Sequence, residues 1–138
     1  MAIDEFQVRF SMAWLLRNEF AMGGTTDVGF SPDSDHFIVV TFSGRGLYDS
    51  KTGDRVARDH DIPDSWHRDN EVNGIGPCEG VVFPVNGIHS EIPANVQQEL
   101  VDFDLDSHIT EFKAAAISPN GKYLIVGYSS DIQIYDRN

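Results

Sequence analysis

Ser31-Pro32-Asp33-Ser34-Asp35-His36-Phe37-Ile38-Val39-Val40 and Ser118-Pro119-Asn120-Gly121-Lys122-Tyr123-Leu124-Ile125-Val126-Gly127 are two copies of one pattern, 87 residues apart. The register holds without a gap as far as Tyr48-Asp49 and Tyr135-Asp136. Each copy opens on turn chemistry: proline presets φ, and Asp33 or Asn120 can bond its own backbone. Gly121 suits a position of positive φ, and Ser34 suits it less well. A strand rich in β-branched and aromatic residues follows, His36 to Phe42 and Tyr123 to Tyr128. A short polar turn then leads into a second strand, Arg45–Asp49 or Ile132–Asp136, and Lys51-Thr52-Gly53-Asp54 turns the first copy into Arg55-Val56-Ala57.

The stretch FSPDSDHFIVVTFSGRGLYDSKTGDRV resembles one blade of a WD40-like β-propeller: Ser-Pro-Asp, a hydrophobic strand, an aromatic-Asp pair and then Thr-Gly. Tyr-Asp stands where Trp-Asp is commoner, and the Gly-His dipeptide that opens such repeats is missing. The likeness covers about 28–58 and 112–136. The spacing is about twice the ~40–45 residue period of such blades, and a closed ring needs at least ~4 of them. The expectation is an all-β, mainly antiparallel single domain, 1–138, with blade-like units at about 25–58 and 112–138 and a divergent middle at 59–111. A compact two-sheet sandwich is favoured over an incomplete propeller-like arrangement.

Phe6, Val8, Phe10 and Met12 alternate with polar residues, so a strand at 5–13 is expected to pair with the C-terminal blade and cover its edge. Trp14 continues that parity and reads as core. Residues 14–21 fit either an extension of the strand or a helical turn. In the middle, Gly80–Val85 reads as a strand with Pro84 at its edge. Leu100–Leu105 alternates apolar with Asp, and Gln97-Gln98 fits a short helical turn. Segment 59–79 carries turn signals throughout and no sustained period, which in a compact domain directs attention to it as a functional loop.

Net charge is −12, from 10 basic and 22 acidic residues. Nucleic acid and anionic membrane surfaces are therefore unsuitable partners, since phosphate binding rests on clustered Lys and Arg. Residues 59–73 carry −4 and residues 99–111 carry −5. If folding gathers them, their field steers a basic protein; two separate solvated edges are the simpler alternative. The partner-binding candidates are Asp59, Asp61, Asp64, Trp66, Asp69, Glu71, Asp102, Asp104 and Asp106, with Trp66 as aromatic anchor.

Chemistry is weakly signalled. His60 and His67 are metal-ligand candidates without a helical His-x-x-x-His spacing, and a solvated loop explains them equally. The single cysteine, Cys78, permits a pair with His89 or His108 but excludes an intrachain disulfide. Gly23-Gly24 and Gly44-Arg45-Gly46 lack the setting of phosphate loops. No cofactor is expected. The acidic start Met1–Glu5 has no signal-peptide character and no apolar run approaches a membrane span, so the expected compartment is the cytoplasm.

Gly74–Gly80 resembles segments of small acidic bacterial proteins, immunity-type proteins among them. The functional expectation is a non-catalytic protein-binding module, an immunity or antitoxin-like protein that neutralises a basic toxin through acidic loops, as monomer or small homo-oligomer. The alternatives are a self-associating propeller-like scaffold or ligand-binding protein, and a metal-dependent enzyme using 59–79.

Overall fold

The computed structural model describes residues 14–60, 70–88, 92–100 and 112–137. Two antiparallel sheets lie face to face. In the first, β2 (Thr25–Phe30), β3 (His36–Thr41), β4 (Gly44–Asp49) and β5 (Arg55–Asp59) form a meander, and the short β8 (Asn86–Gly87) adds beside β2. In the second, β9 (Phe112–Ile117), β10 (Tyr123–Tyr128) and β11 (Asp131–Asp136) form a meander, and β1 (Leu15–Ala21) closes it against β11. The all-β reading holds, and the described strands close no barrel.

The two copies of the repeat build the same turn atom for atom. Ser31 Oγ donates to Asp33 Oδ1 at 2.6 Å and accepts from the His36 N–H at 3.1 Å; Ser118 Oγ makes the matching bonds to Asn120 Oδ1 and from Tyr123 at 2.6 and 3.0 Å. The fourth position is left-handed in both, with φ 69° at Ser34 and 75° at Gly121. Backbone bonds Ser31 N–H to His36 O and Ser118 N–H to Tyr123 O then start the β2–β3 and β9–β10 ladders.

Alternation along the strands divides the apolar residues among three cores. Val28, Phe30, Phe37, Val39 and Tyr48 of the first sheet meet Ala114, Ala116, Ile125, Ile132 and Ile134 of the second. On the far side of the first sheet, Ile38, Val40 and Leu47 are covered by Val72, Ile75, Cys78, Phe83 and Val85. On the far side of the second, Ala115, Leu124, Val126 and Tyr128 are covered by Val96 and Leu100 of α1 (Ala94–Leu100). Both sheets are buried on both faces, which explains the continuous apolar runs in β3 and β10.

Of the two alternatives for residues 14–21, the strand is formed: Leu15–Ala21 pairs with β11, and residues 5–13 lie outside the described residues. Two other expectations are corrected in detail. Leu100 ends a helix rather than starting a strand, because Val96 and Leu100, four residues apart, present one face to the sheet; residues 101–105 lie outside the described residues. Segment 59–79 is not structureless where it is described. There β6 (Glu71–Asn73) pairs with β7 (Val82–Pro84) around a 3-10 turn at Gly76–Cys78. Elements of three residues are too short to display a period, so the sequence shows only their turn residues.

Candidate functional site

The sheets pack closest where β2 lies on β9. Toward the opposite edges, β1 and β5, a cleft opens between them. Its deeper part, about 210 Å³, is lined by Met22, Gly23, Thr41, Ser43, the Gly44–Gly46 run, Tyr48, Arg55 and Arg58. An adjoining part of about 410 Å³ is lined by Asn18, Phe20, Ala21, Gly53 and Asp54 besides Met22, Tyr48 and Arg55.

A β-bulge sets the character of this cleft. Gly46 pairs with Arg58, Leu47 with Ala57, and Tyr48 with Arg55, so Val56 is the extra residue of β5. In a regular strand, residues three apart point to opposite faces. The extra residue brings Arg55 and Arg58 onto the face of their cross-strand partners Tyr48 and Gly46. That face looks into the cleft.

Tyr48 is the wall. Its ring stacks on Phe37 at 5.1 Å and on Phe20 of β1 at 5.0 Å. Its phenol lies over Gly46, where a Cβ would come within 2.9 Å of the hydroxyl oxygen. Burial pushes the Tyr48 phenol up, while the Arg55 and Arg58 guanidiniums pull it the other way. Phe42, at the β3–β4 hairpin tip between the cleft residues Thr41 and Ser43, is 68% exposed.

Charge is partitioned among the described arginines. Arg17 pairs with Asp136 at 3.3 Å, Arg45 with Asp59 at 2.5 Å, and Arg137 with Glu99 at 3.1 Å. Arg55 and Arg58 make no ion pair with any described residue, and both line the cleft.

Of the residues singled out in the sequence, Asp59 ends β5 and is committed to Arg45, whose other amino group donates to Asn73 O at 2.8 Å. Glu71 is exposed on β6. Asp61, Asp64, Trp66, Asp69, Asp102, Asp104, Asp106 and the metal candidate His67 lie outside the described residues, as do His89 and His108. His60 is exposed, and no group of three metal-ligating side chains exists among the described residues. Cys78 is buried under the first sheet; burial pushes its thiol up, away from the thiolate a nucleophile needs. Trp14 is half-buried against the α1 core, with its indole N–H donating to Glu99 Oε2 at 3.1 Å.

One flank of each acidic stretch, His60 before 61–69 and Phe112 after 101–111, lies at the same end of the sandwich. His60 follows Asp59, which pairs with Arg45 next to the β3–β4 tip. Phe112 pairs with Tyr128, next to the β10–β11 tip at Ser129-Ser130. The Met22 N–H donates to Ser130 O at 3.0 Å and Gly24 O accepts from the Phe42 N–H at 3.1 Å, tying both tips to the β1–β2 turn. The Ser-Pro turns occupy the opposite end.

The sequence offered no signal for the cleft. Arg55 and Arg58 read as residues on opposite faces of a strand, and nothing in Arg-Val-Ala-Arg announces a bulge. Comparison with known proteins adds nothing to this geometry: no family model, curated protein or solved structure matches the chain.

Proposed function

We propose that the chain is a non-catalytic protein-binding module that engages a basic protein through the end of the sandwich bearing the hairpin tips. The observation that carries this reading is the shared position of His60 and Phe112, which flank 61–69 and 101–111. Those two stretches hold seven acidic residues, Glu111 among them, against the single cation Arg68. Acidic stretches that gather at that end would add their fields there, which raises association rates with a cation-rich surface. Phe42 at the same end supplies an exposed aromatic contact of the kind that anchors interfaces.

In its narrower form the reading is neutralisation of a basic toxin by acidic segments, as immunity-type proteins do. The four-stranded meander β2–β5 and the three-stranded meander β9–β11 completed by β1, each with the Ser-Pro turn at the same place, support treating the units as WD40-like blades. No closed ring is part of the proposal.

The test is kinetic. The full chain, immobilised, is used to isolate a cationic partner from the source cells, and the association rate is measured from 50 to 500 mM salt. A rate that falls steeply, and falls again when Asp61, Asp64 and Asp69 or Asp102, Asp104 and Asp106 become Asn, supports the reading. A rate indifferent to salt and to both substitutions removes it.

A further inference from the structure

Beyond partner binding through acidic segments, we propose that the cleft between β1 and β5 is a binding site for a phosphate monoester or the like tetrahedral oxyanion, held by Arg55 and Arg58. Four observations converge. The bulge at Val56 turns two guanidiniums three residues apart onto one face. Neither has a carboxylate partner among the described residues, whereas Arg17, Arg45 and Arg137 all do. Of the nearby acids, Asp59 is spent on Arg45, and Asp54, which lines the adjoining part of the cleft, makes no ion pair with Arg55. And the space in front of the two arginines is a cleft of about 210 Å³ with the Tyr48 phenol and Ser43 along it.

In a chain of net charge −12, two unneutralised cations facing one cleft form a local exception to the general field. Guanidinium groups bind phosphoryl oxygens by paired N–H···O bonds that are stronger than neutral ones. The glycines at 44 and 46 keep the floor low; a Cβ at 46 would press on the Tyr48 ring at 2.8 Å. Phe20 and Met22 on the opposite wall offer apolar contact to an organic substituent on the phosphate.

The experiment titrates the full chain with inorganic phosphate and, separately, with phenyl phosphate, reading the arginine side-chain N–H signals by NMR and the heat by calorimetry. Saturable binding with a dissociation constant of roughly 0.1–1 mM is expected, weakened at least about tenfold in R55Q/R58Q. These two side chains are exposed, so that variant keeps the fold. K51Q removes an exposed cation outside the cleft and leaves the affinity unchanged. Tighter binding of phenyl phosphate than of phosphate assigns the site to an organic monoester; equal binding assigns it to the phosphoryl group alone, and either outcome supports the site. No saturation by about 10 mM of either probe, equal affinity in R55Q/R58Q, or an equal loss in K51Q overturns it.

Discussion

The hydroxyl of Ser34 accepts a hydrogen bond from the backbone N–H of Asn120 at 3.0 Å, joining the two Ser-Pro turns of the repeat across the sheets. Ser34 is the place where the copies differ most in backbone tolerance: it holds φ 69° without being glycine, while Gly121 holds 75° at the equivalent site. A left-handed non-glycine residue costs about 1–2 kcal/mol. Here that strain keeps a buried hydroxyl in place against the other turn.

Substitution at Ser34 should separate the two effects. Ser34→Ala leaves the strain and strips the Asn120 N–H of its acceptor, a loss of about 1–2 kcal/mol. Ser34→Gly strips the same bond but relieves the backbone, so it should be less damaging by about 1 kcal/mol. Urea denaturation of both variants checks this. An alanine variant as stable as the glycine variant would mean the turn carries no strain.

The two turns also differ in what they do with pH. The Ser31 hydroxyl, first, and the Asp35 N–H, second, hold the Asp33 carboxyl below the usual carboxylate range. The Thr52 N–H, with the Lys51 N–H, does the same for Asp49. Both folded-state values are depressed, so the stability they contribute is present above about pH 4 and is lost as pH falls through the folded values. Asn120 fills the Asp33 position in the second turn and does not titrate. Asp33→Asn should therefore lose less stability than the parent between pH 7 and pH 2.5, in paired urea melts. A gap between the two proteins that stays constant with pH would refute this.

What could be read from residues alone follows from which features repeat. The hairpins β2–β3 and β9–β10 were legible because Ser-Pro-Asp/Asn occurs twice with the same strand after it, and two copies exclude chance where one would not. The closing of β11 by an N-terminal strand was legible as a vacancy, but its residues were not. Leu15, Leu16 and Phe20 do not alternate cleanly, since the bulge between Leu16 and Asn18 breaks their parity. The same blindness hid the cleft. A bulge costs a strand its period and leaves no residue type as a marker, so Arg55 and Arg58 became neighbours only once pairing was known. The cover over the first sheet was illegible for another reason: Val72, Ile75, Cys78 and Phe83 are scattered among turns and gain meaning only from what they pack on.

That cover depends on one missing methyl group. Pro84 passes so close to Gly29 of β2 that a Cβ there would lie 1.9 Å from the Pro84 carbonyl oxygen and 2.9 Å from a Val85 methyl. Backbone cannot yield as a side chain can. Gly29→Ala should destabilise by about 2–3 kcal/mol and lift the β6–β7 unit. Cys78, buried in that layer, should then react faster with a thiol reagent under native conditions. Unchanged stability together with unchanged labelling would show that the unit docks with slack.

Arg137 joins three parts of the second unit. Its guanidinium lies 4.0 Å over the Trp14 ring, bonds Glu99 Oε2 of α1 at 3.1 Å, and donates from Nε to Gly121 O in the second Ser-Pro turn at 2.9 Å. Glu99 in turn accepts from the Trp14 indole. The residue before β1, the helix and the repeat turn are thus held by one planar group whose charge is partly open to water. If charge alone mattered, Arg137→Lys would be close to neutral, because a part-exposed ion pair contributes little. The planar contacts argue otherwise: an ammonium cannot stack on the indole and serve both oxygens at once. Arg137→Lys should cost about 1–2 kcal/mol, most of what Arg137→Met costs. In a Trp66→Phe background, where Trp14 is the sole tryptophan, its emission should shift to the red in both variants as the guanidinium cover is lost. A lysine variant with parental stability and emission would assign the junction to Coulomb attraction and leave the stacking without a role.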